Sequence, residues 1–536
     1  MRHLLLLLLL GFAVTFTSCR DDFEFEPSTG GLEFSRDTVY LDTVFTNIGS
    51  STYTLKVYNR SNKDIMIPHI ALGQGDNSKY RLMVDGIPGK TFNNVELLAK
   101  DSMFIFVETT INYADYINNE TTFLYTDNIQ FTSTNGNQKV ELVTLVQDAV
   151  LIKPDRPIPN GAKELLTLSG VATDFQGHEL ATPEELHWTN QKPYVVYGYA
   201  MVPNRKTLVI DPGARVHFHA DSGLIVDTDG LLQINGTASS TPALENEVIF
   251  EGDRLEPEYA DVPGQWSSVL IFSKNDNTIN HLTLKNANVG ILMQPIDVDA
   301  RPVIIPKLKI DNSQIYNSAN YGVLARLSTI TGTNIVANNA GQASVALTLG
   351  GDYNFKHCTF ANYFNSNDQV PLLINNYMDN GDAPSSVSDL NANFDNCIMY
   401  GSGNVGISLE RIGEDDTTLL YHITFNHSLI KIVDPFNQLN SNPLYKYTTN
   451  TAESPVYYNS CVIGKTSNNN RPAFEDAPNN KLNLITNDSP NAENPGPEGS
   501  ADPAIAAIVP FDIKGVSRNL TAPDIGAYES QPAPAE

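Results

Sequence analysis

The chain has 536 residues, with 34 lysines and arginines against 61 aspartates and glutamates, which gives a net charge of −27 at pH 7. Such an acidic surface repels the phosphate backbone of nucleic acids, so DNA and RNA are poor candidates for partners. The length allows two or three domains, each large enough to bury its own core.

The first residues have the pattern of a targeting segment. Arg2 supplies a positive start, and an apolar run from Leu4 to Phe16 follows. This run is shorter than the roughly 20 residues that a membrane-spanning helix needs. We therefore predict that residues 1–18 are a cleaved signal peptide and do not belong to the fold.

The signal peptide ends in Phe16-Thr17-Ser18-Cys19. This motif resembles the lipobox of bacterial lipoproteins, which implies cleavage before Cys19 and a lipid on its thiol. An ordinary secretory signal with an incidental cysteine is the alternative. Residues 19–30 form an acidic tether that resembles the surface-export signal of lipoproteins from the Bacteroidetes group. The resemblance implies a lipid-anchored protein on the outer face of the outer membrane, with a periplasm-facing position as the alternative.

Residues 31–150 have the pattern of a separate β-sandwich. Extended runs such as Met103–Val107 and Val140–Leu145 are separated by polar turns, which suits about seven strands. The stretch from Asn59-x-Ser61 through Tyr80-x-Leu82 resembles an immunoglobulin-like module of the ASH/MSP type. That resemblance implies a spacer or interaction domain without chemistry of its own.

A proline-rich linker follows over residues 151–164, with Pro154, Pro157 and Pro159 stiffening the chain. Residues 165–530 are predicted to form one repeat domain, and residues 531–536 a tail. The first part of this domain, residues 165–205, is expected to close the end of the repeat structure, because terminal repeats must hide their open strand edges.

Residues 279–464 repeat a short frame: an apolar residue, two spacers, a small residue, and an apolar residue two positions later. Seven copies in a fixed internal order indicate a repeat protein. The copies are Ile279-x-x-Leu282-x-Leu284, Ile310-x-x-Ser313-x-Ile315, Ile330-x-x-Thr333-x-Ile335, Phe355-x-x-Cys358-x-Phe360, Phe394-x-x-Cys397-x-Met399, Phe425-x-x-Ser428-x-Ile430 and Tyr458-x-x-Cys461-x-Ile463.

These copies predict the coils of a parallel β-solenoid. Strand alternation puts the apolar positions of each copy on one face, and only stacking of coils can bury that face. The side chains of Cys358, Cys397, Ser428 and Cys461 should then align inside one hydrophobic column. Buried free thiols are one outcome for these cysteines, and a bridge between Cys358 and Cys397 is another. Asparagines that follow the frame, such as Asn286, Asn317 and Asn362, are suited to left-handed bends.

The two ends of the domain support this architecture. Thr207–Phe218 and Gly230–Ala238, followed by Gly264-Gln265-Trp266, resemble the opening coils of right-handed parallel β-helix proteins of the pectin-lyase-like class. Pro523-Asp524-Ile525-Gly526-Ala527-Tyr528-Glu529 resembles the C-terminal segment of many secreted β-helix proteins, including polysaccharide lyases. The resemblance implies an all-β chain in which a small sandwich precedes a right-handed parallel β-helix.

Catalytic and metal motifs are weak in this sequence. Hydrolysis of a polysaccharide needs two carboxylates held at a groove. Asp415-Asp416 is the one adjacent aspartate pair in the repeat domain, and its setting predicts a turn. The acidic loop around Glu251–Asp261 lacks the spacing of a calcium loop. We predict no metal and no cofactor.

A row of polar residues follows the second apolar run of several copies: Gln294, Arg326, Asn376 and Arg411. If the frame holds, these side chains lie along one edge of the coils. Arg326, Asn376 and Arg411 are therefore the candidate ligand-binding residues, because guanidinium and amide groups suit polar sugars. Pairing with neighbouring acids is the alternative.

The sequence thus predicts a lipid-anchored surface protein whose β-helix binds an extended glycan or a partner protein without cutting it. One alternative is a polysaccharide lyase or glycoside hydrolase with an unfamiliar site. Another is a structural component of an outer-membrane complex. The membrane, through the N-terminal lipid, and a polysaccharide or a surface protein are the expected partners.

Overall fold

The computed structural model describes residues 24–116, 120–155, 164–300, 302–366, 368–381, 383–414, 416–466, 469–486 and 496–533. The predicted signal peptide and the lipid site Cys19 lie outside these residues. The chain divides after Asp148 into two compact units. No helix in the described ranges is long and apolar enough to cross a bilayer.

The first unit is a β-sandwich with eleven strands in its described part. One sheet contains β1, β5, β8, β10, β11 and β3, and the other has the order β2-β4-β9-β6-β7. The bounds are β1 Glu26–Pro27, β2 Glu33–Phe34, β3 Thr38–Phe45, β4 Tyr53–Tyr58, β5 Ile65–Leu72, β6 Tyr80–Val84, β7 Ile87–Gly89, β8 Thr91–Leu97, β9 Ser102–Thr109, β10 Thr122–Ser133 and β11 Gly136–Gln147.

The sandwich core is built by alternation along these strands. In β9, Met103, Ile105 and Val107 are buried while the residues between them are exposed or half-buried. Leu55 and Ile67 complete the apolar layer from the two sheets. This period of two is what a sheet with one solvated face requires. The sandwich agrees with the predicted fold class, and short edge strands raise the strand number above the predicted seven.

The second unit is a right-handed parallel β-helix with three columns of stacked strands, which we call columns C, A and B in the order in which each coil visits them. Column C contains β12 Val150–Ile152, β16 Tyr194–Val196, β19 Arg215–Phe218, β22 Val248–Gly252, β25 Leu282–Lys285, β28 Gln314–Ser318, β30 Val336–Ala340, β32 Thr359–Asn362, β37 Ile398–Gly401, β40 Leu429–Lys431 and β42 Val462–Gly464.

Columns A and B are joined where two long strands, β29 (Tyr321–Thr333) and β31 (Ala343–Lys356), bend from one column into the other. Column A also contains β14 Val171–Glu179, β17 Tyr199–Val202, β20 Gly223–Val226, β23 Val269–Ile271, β26 Val289–Met293, β33 Val370–Asn375 and β38 Ile407–Glu410. Column B contains β15 His187–Trp188, β18 Thr207–Ile210, β21 Leu231–Asn235, β24 Asn277–Asn280, β27 Lys307–Asp311, β36 Leu390–Asp395, β39 Tyr421–Asn426 and β41 Val456–Asn459.

The remaining elements are attached to this stack. Apart from short 3₁₀ turns, the part of the chain that the structure describes adds β13 Leu165–Leu168, which pairs antiparallel with β14, the hairpin of β34 Tyr377–Asn380 and β35 Ala383–Val387, the pair β43 Phe474–Asp476 and β44 Lys481–Leu484, and the short helix α1 Pro503–Ile508. The first strand of column C, β12, includes Leu151 and Ile152, so the β-helix begins inside the segment that the sequence assigned to the linker.

The core is one continuous apolar column, as predicted. The rings of Phe355, Phe394, Phe425 and Tyr458 stack with centroids 5.5, 5.1 and 5.4 Å apart. These distances follow from the separation of about 4.8 Å between neighbouring strands. Aromatic side chains at the same position of successive coils therefore stack on one another and hold neighbouring coils together.

The small-residue slot also aligns inside the column. The backbone N–H of Cys358 donates to Cys397 Sγ at 3.5 Å, and that of Cys397 donates to Ser428 Oγ at 3.1 Å. A small polar side chain thus accepts the N–H of the preceding coil at a tight corner, where a buried donor needs a partner. Cys358, Cys397 and Cys461 are free thiols.

One copy of the frame was wrong by two residues. The register pairs Gly332 with Ile310 and with Phe355, so Gly332 takes the position of the stacked apolar residue. Ile335, and not Thr333, therefore lies in the small-residue slot. In this coil the usual side-chain sizes are exchanged. The large Ile335 occupies the small-residue slot at the corner, and Gly332 occupies the position of the stacked apolar residue.

The residue before the small-residue slot is left-handed in all seven coils of the repeat. Its φ values run from 44 to 54° at His281, Asn312, Asn334, His357, Asn396, His427 and Ser460. Asn286 and Asn317 are also left-handed, as predicted, with φ of 67 and 53°. Asn362 is not; its amide instead donates to Ala340 O at 2.7 Å. Asparagine and histidine thus supply six of the seven corners before the slot, because they tolerate this conformation better than bulky residues.

Two described stretches of the C-terminal segment, residues 469–486 and 496–533, lie along the outside of column C, where their apolar residues pack on outward side chains such as Ile398 and Tyr400. The amide of Asn396 donates to Asp502 O at 3.1 Å and accepts from Asp502 N at 2.7 Å. His357 Nδ1 lies 3.3 Å from Gly526 O. The same corner residues therefore turn the coil and hold this segment, which we call the strap.

Candidate functional site

The middle coils of column A present an apolar stripe to the outside. We call these outward side chains, from β26 to β38, face A. Two rows run along the stack, and their members are paired strand by strand: Val289, Tyr321, Ala343 and Val370 in one, and Leu292, Leu324, Ala346 and Leu373 in the other. Ala343 and Ala346 are buried among larger neighbours, while Val289, Leu292, Tyr321, Val370 and Leu373 stay half-buried. The small alanines of β31 therefore form the floor of the stripe.

A polar row borders the stripe on the side of column B. Its members, one from each coil, are Gln294, Arg326, Thr348, Asn375 and Glu410. Arg326 Nη1 donates to Gln294 Oε1 at 2.9 Å, which holds the guanidinium along the stack. Tyr377 OH donates to Glu410 Oε2 at 2.5 Å at the other end. The row is half-exposed except for Glu410, which is exposed.

The structure brings together only part of the row that the sequence predicted. Arg326 and Gln294 are neighbours, but Asn376 and Arg411 lie one residue beyond the row, in the bend towards column B. Asn376 is buried and its amide is engaged, donating to Ile412 O and accepting from Ile412 N, both at 2.9 Å. The Arg411 guanidinium lies 5.1 Å from the Tyr421 ring centroid.

Sequence reasoning missed Thr348, Asn375 and Glu410 as members of the row. The signal was available in β33, where Leu372 and Ile374 alternate inward and so place Asn375 outward. Counting from the end of the apolar run, instead of following its alternation, gave the wrong residue.

An amide row borders the stripe on its other side, at the corner between columns C and A. Asn320 Nδ2 donates to Asn288 Oδ1 at 2.5 Å, and Gln342 Nε2 donates to Asn320 Oδ1 at 3.2 Å. Tyr321 OH hydrogen-bonds to Gln342 Oε1. Asn288 and Gln342 are exposed. Face A is therefore an apolar stripe two rows wide between two polar rows.

A second feature is a cavity of about 770 Å³ at the start of the β-helix. Two histidine–carboxylate pairs border it: His178 Nε2 lies 3.1 Å from Glu185 Oε1, and His187 Nε2 lies 2.8 Å from Asp211 Oδ2. Burial opposes protonation of His178, but hydrogen bonds with Glu185 and Glu164 raise its pKa above the ordinary value. The cavity is lined by Val150, Leu151, Ile152, Lys153, Asp155, His178, Pro183, Glu184, Glu185, His187, Thr189, Gln191 and Tyr194.

A third group of charges lies on the outside of column C in the early coils. Glu251 contacts Lys285 Nζ at 2.8 Å and His217 Nδ1 at 3.6 Å. Burial raises the pKa of Glu247, although its Oε2 accepts from Thr283 Oγ1 at 2.7 Å. These acids are held by partners within the column. The predicted aspartate pair does form a turn at Asp416, whose Oδ1 accepts from Thr418 N at 2.9 Å; its neighbour at 415 lies outside the described residues.

Neither a protein-family model nor a curated protein sequence matches the chain. Among solved structures, similarity is found to a catalytic domain of GH87 α-1,3-glucanase in complex with tetrasaccharides, with 8% identity, coverage of 77% of this chain and 87% of that chain, and a TM-score of 0.23. The periplasmic chaperone SfaE is 13% identical, with coverage of 22% and 58% and a TM-score of 0.16.

A family 123 glycoside hydrolase from Clostridium perfringens is 9% identical, with coverage of 22% of this chain and 26% of that chain and a TM-score of 0.14. The chain thus spans little more than half of SfaE and about a quarter of this hydrolase.

Proposed function

We propose that face A binds an extended, neutral glycan and does not cut it. The observation that carries the proposal is the apolar stripe between two polar rows. A sugar ring has an apolar C–H face and a rim of hydroxyl groups, so a linear glycan is amphipathic along its whole length. The stripe offers the half-buried Leu292 and Leu373 to the ring faces, and the rows offer hydrogen bonds to the rims.

The chemistry of the rows suits hydroxyl groups. Asn320, Gln342 and Asn375 each carry a carbonyl and an NH₂ group, and a hydroxyl both donates and accepts. Each coil repeats the arrangement about 4.8 Å further along the stack. A chain that lies parallel to the axis would therefore meet equivalent contacts repeatedly.

Charge favours a neutral ligand over an anionic one. The net charge of −27 repels polyanions, and Glu410 adds a negative charge at one end of the polar row. Arg326 is the single cation among the row members and already contacts Gln294. The rows contain one carboxylate, whereas glycoside hydrolysis by the usual route needs two. This donor set supports binding without cleavage.

Glycan-array screening followed by calorimetry tests the proposal, with the chain that lacks the predicted signal peptide and Cys19. Arg326→Ala removes a charged hydrogen bond, so affinity should fall about 10-fold or more. Leu373→Ser should weaken binding through the stripe, because Leu373 is half-buried on face A. Thr331→Ala on column B is the matched control and should bind like the parent.

Two results would overturn the proposal. One is glycan binding that Arg326→Ala and Leu373→Ser both leave unchanged. The other is depolymerisation of the bound glycan, followed as loss of viscosity, that disappears in Arg326→Ala or Arg411→Ala. The second result would favour the lyase or hydrolase alternative.

The proposed place of action is the cell surface, through a lipid on Cys19. The lipobox-like motif and the acidic tether support this location. Radiolabelled fatty acid should be incorporated into the parent and not into Cys19→Ala, and protease added to intact cells should remove the protein. Protection from protease until the outer membrane is opened would instead support the periplasm-facing position.

A further inference from the structure

Three side chains at the start of the β-helix converge in a way that the sequence did not suggest. Asp155, Glu164 and His178 each offer one ligand atom, and these atoms lie within 4.8 Å of one another. Glu164 and His178 are half-buried and Asp155 is exposed. Two hydrogen bonds join Asp155 and Glu164: Glu164 N donates to Asp155 O at 2.9 Å, and Asp155 N donates to Glu164 Oε2 at 3.1 Å.

The spacing of the donors suits a small cation. His178 Nδ1 lies 3.4 Å from Glu164 Oε2. In a tetrahedral zinc site with bonds of about 2.0–2.1 Å, neighbouring ligand atoms are about 3.4 Å apart. One edge of the tetrahedron is therefore already present, and a small rotation of the exposed Asp155 would supply a third ligand.

The other side of the histidine carries an independent feature. His178 Nε2 lies 3.1 Å from Glu185 Oε1, and Glu185 Oε2 accepts from the N–H groups of Ala181 and Thr182, both at 2.9 Å. A carboxylate on the far ring nitrogen is the usual means of orienting a metal-binding histidine. It fixes the imidazole plane so that Nδ1 is directed at Glu164.

Access is provided by the cavity of about 770 Å³, whose lining includes Asp155, His178 and Glu185. Three protein ligands beside an open cavity leave a coordination position for water or for a ligand carboxylate, as in catalytic zinc sites. An imidazole nitrogen among the donors favours transition metals over calcium, which prefers six to eight oxygens.

We propose that Asp155, Glu164 and His178 Nδ1 bind one divalent transition-metal cation of the zinc class, with Glu185 as the positioning residue for His178. This site is separate from face A and does not depend on glycan binding. It also departs from the sequence expectation that the protein binds no metal.

Calorimetry with ZnCl₂ on chelator-treated protein tests the site, with Co²⁺ absorption as a second readout of the ligand set. The expected result is one cation per chain. His178→Ala and the pair Asp155→Asn with Glu164→Gln should abolish binding, and Glu185→Gln should weaken it 10- to 100-fold. His187→Ala is the matched control, because this histidine borders the same cavity but pairs with Asp211.

Circular dichroism and thermal unfolding of each variant verify the fold. Three results would overturn the proposal: no stoichiometric zinc binding by the folded parent, unchanged binding in folded His178→Ala, or equal loss in His187→Ala and His178→Ala. A cobalt spectrum of tetrahedral type that is lost in His178→Ala and kept in His187→Ala supports it.

Discussion

The coil with exchanged volumes gives the sharpest test of the stacked core. A Cβ added to Gly332 would lie 2.4 Å from Ile335 Cδ1 and 3.0 Å from Phe355 Cδ1. Gly332→Ala should therefore displace Ile335 and cost about 1–3 kcal/mol in the free energy of unfolding. Ile335→Val removes Cδ1 alone and should cost about 0.5–1.5 kcal/mol.

The double variant distinguishes this packing from independent effects. If the two changes were independent, their costs would sum to about 1.5–4.5 kcal/mol. Ile335→Val removes Cδ1, the atom with which the new methyl group of Gly332→Ala would clash. The double variant should therefore be about as stable as Ile335→Val alone. The coupling energy should thus be about 1–3 kcal/mol, which is within the range for residues in contact.

Urea unfolding followed by circular dichroism measures the four proteins, with stabilities compared through midpoints at a common slope. Gly332→Ala with Ile423→Val is the matched control, since Ile423 is buried three coils away and its effect should be additive. A double variant at Gly332 and Ile335 whose cost equals the sum of the single costs would refute the proposed exchange of volumes.

Three further predictions concern buried ionisable groups. Burial and the nearby charge of Arg518 lower the pKa of His357 to about 2. Below pH 6.5 the unfolded chain therefore binds one proton more at this residue than the folded chain does. The free energy of unfolding then falls by about 1.4 kcal/mol for each unit by which the pH decreases. In His357→Asn, the free energy of unfolding obtained from urea midpoints should depend on pH less steeply between pH 6.5 and 4.5, by the contribution of one proton. An unchanged pH dependence contradicts this prediction. Arg518 Nη1 lies 3.0 Å from Glu529 Oε1, so Arg518→Met leaves the buried Glu529 carboxylate without this cation. The free energy of unfolding, measured by thermal unfolding, should fall by about 3–5 kcal/mol. The double variant Arg518→Met with Glu529→Gln should lose less, and equal losses contradict the prediction. Burial raises the pKa of Cys461 to about 12, so iodoacetamide at pH 8 should label it slowly until urea is added; native labelling at the rate of a free thiol contradicts this.

The repeat was predictable because its spacing is imposed by the core. Phe355, Phe394 and Phe425 recur with a small residue three positions later, and the structure stacks them in register. The failure at Gly332 has the same origin. A coil needs the right total volume and not the same letter at each position, so a glycine can replace an aromatic residue when Ile335 fills the corner.

The candidate sites were harder to predict, for two different reasons. On face A, a shift of one residue moves a side chain to the other side of the strand, which separated Asn375 from Asn376. At the cavity, Asp155, Glu164 and His178 share no motif spacing. They meet because β13 pairs antiparallel with β14, which brings Glu164 beside His178, and because the backbone N–H of Glu164 donates to Asp155 O; neither contact leaves a local signal in the sequence.

The covering of the β-helix also favours face A as the binding surface. Column C is covered in its later coils by the strap, whose Ile525 and Ala527 are buried against it. On column A, Leu166 and Leu168 of β13 pack over the first coils. The chain thus covers the apolar outward rows at one end of column A, whereas five residues of face A stay half-buried: Val289, Leu292, Tyr321, Val370 and Leu373. An apolar stripe that the chain's own segments cover elsewhere, and that polar rows border here, supports the proposal that face A binds a ligand, because contiguous apolar patches left uncovered on a protein surface mark interaction sites.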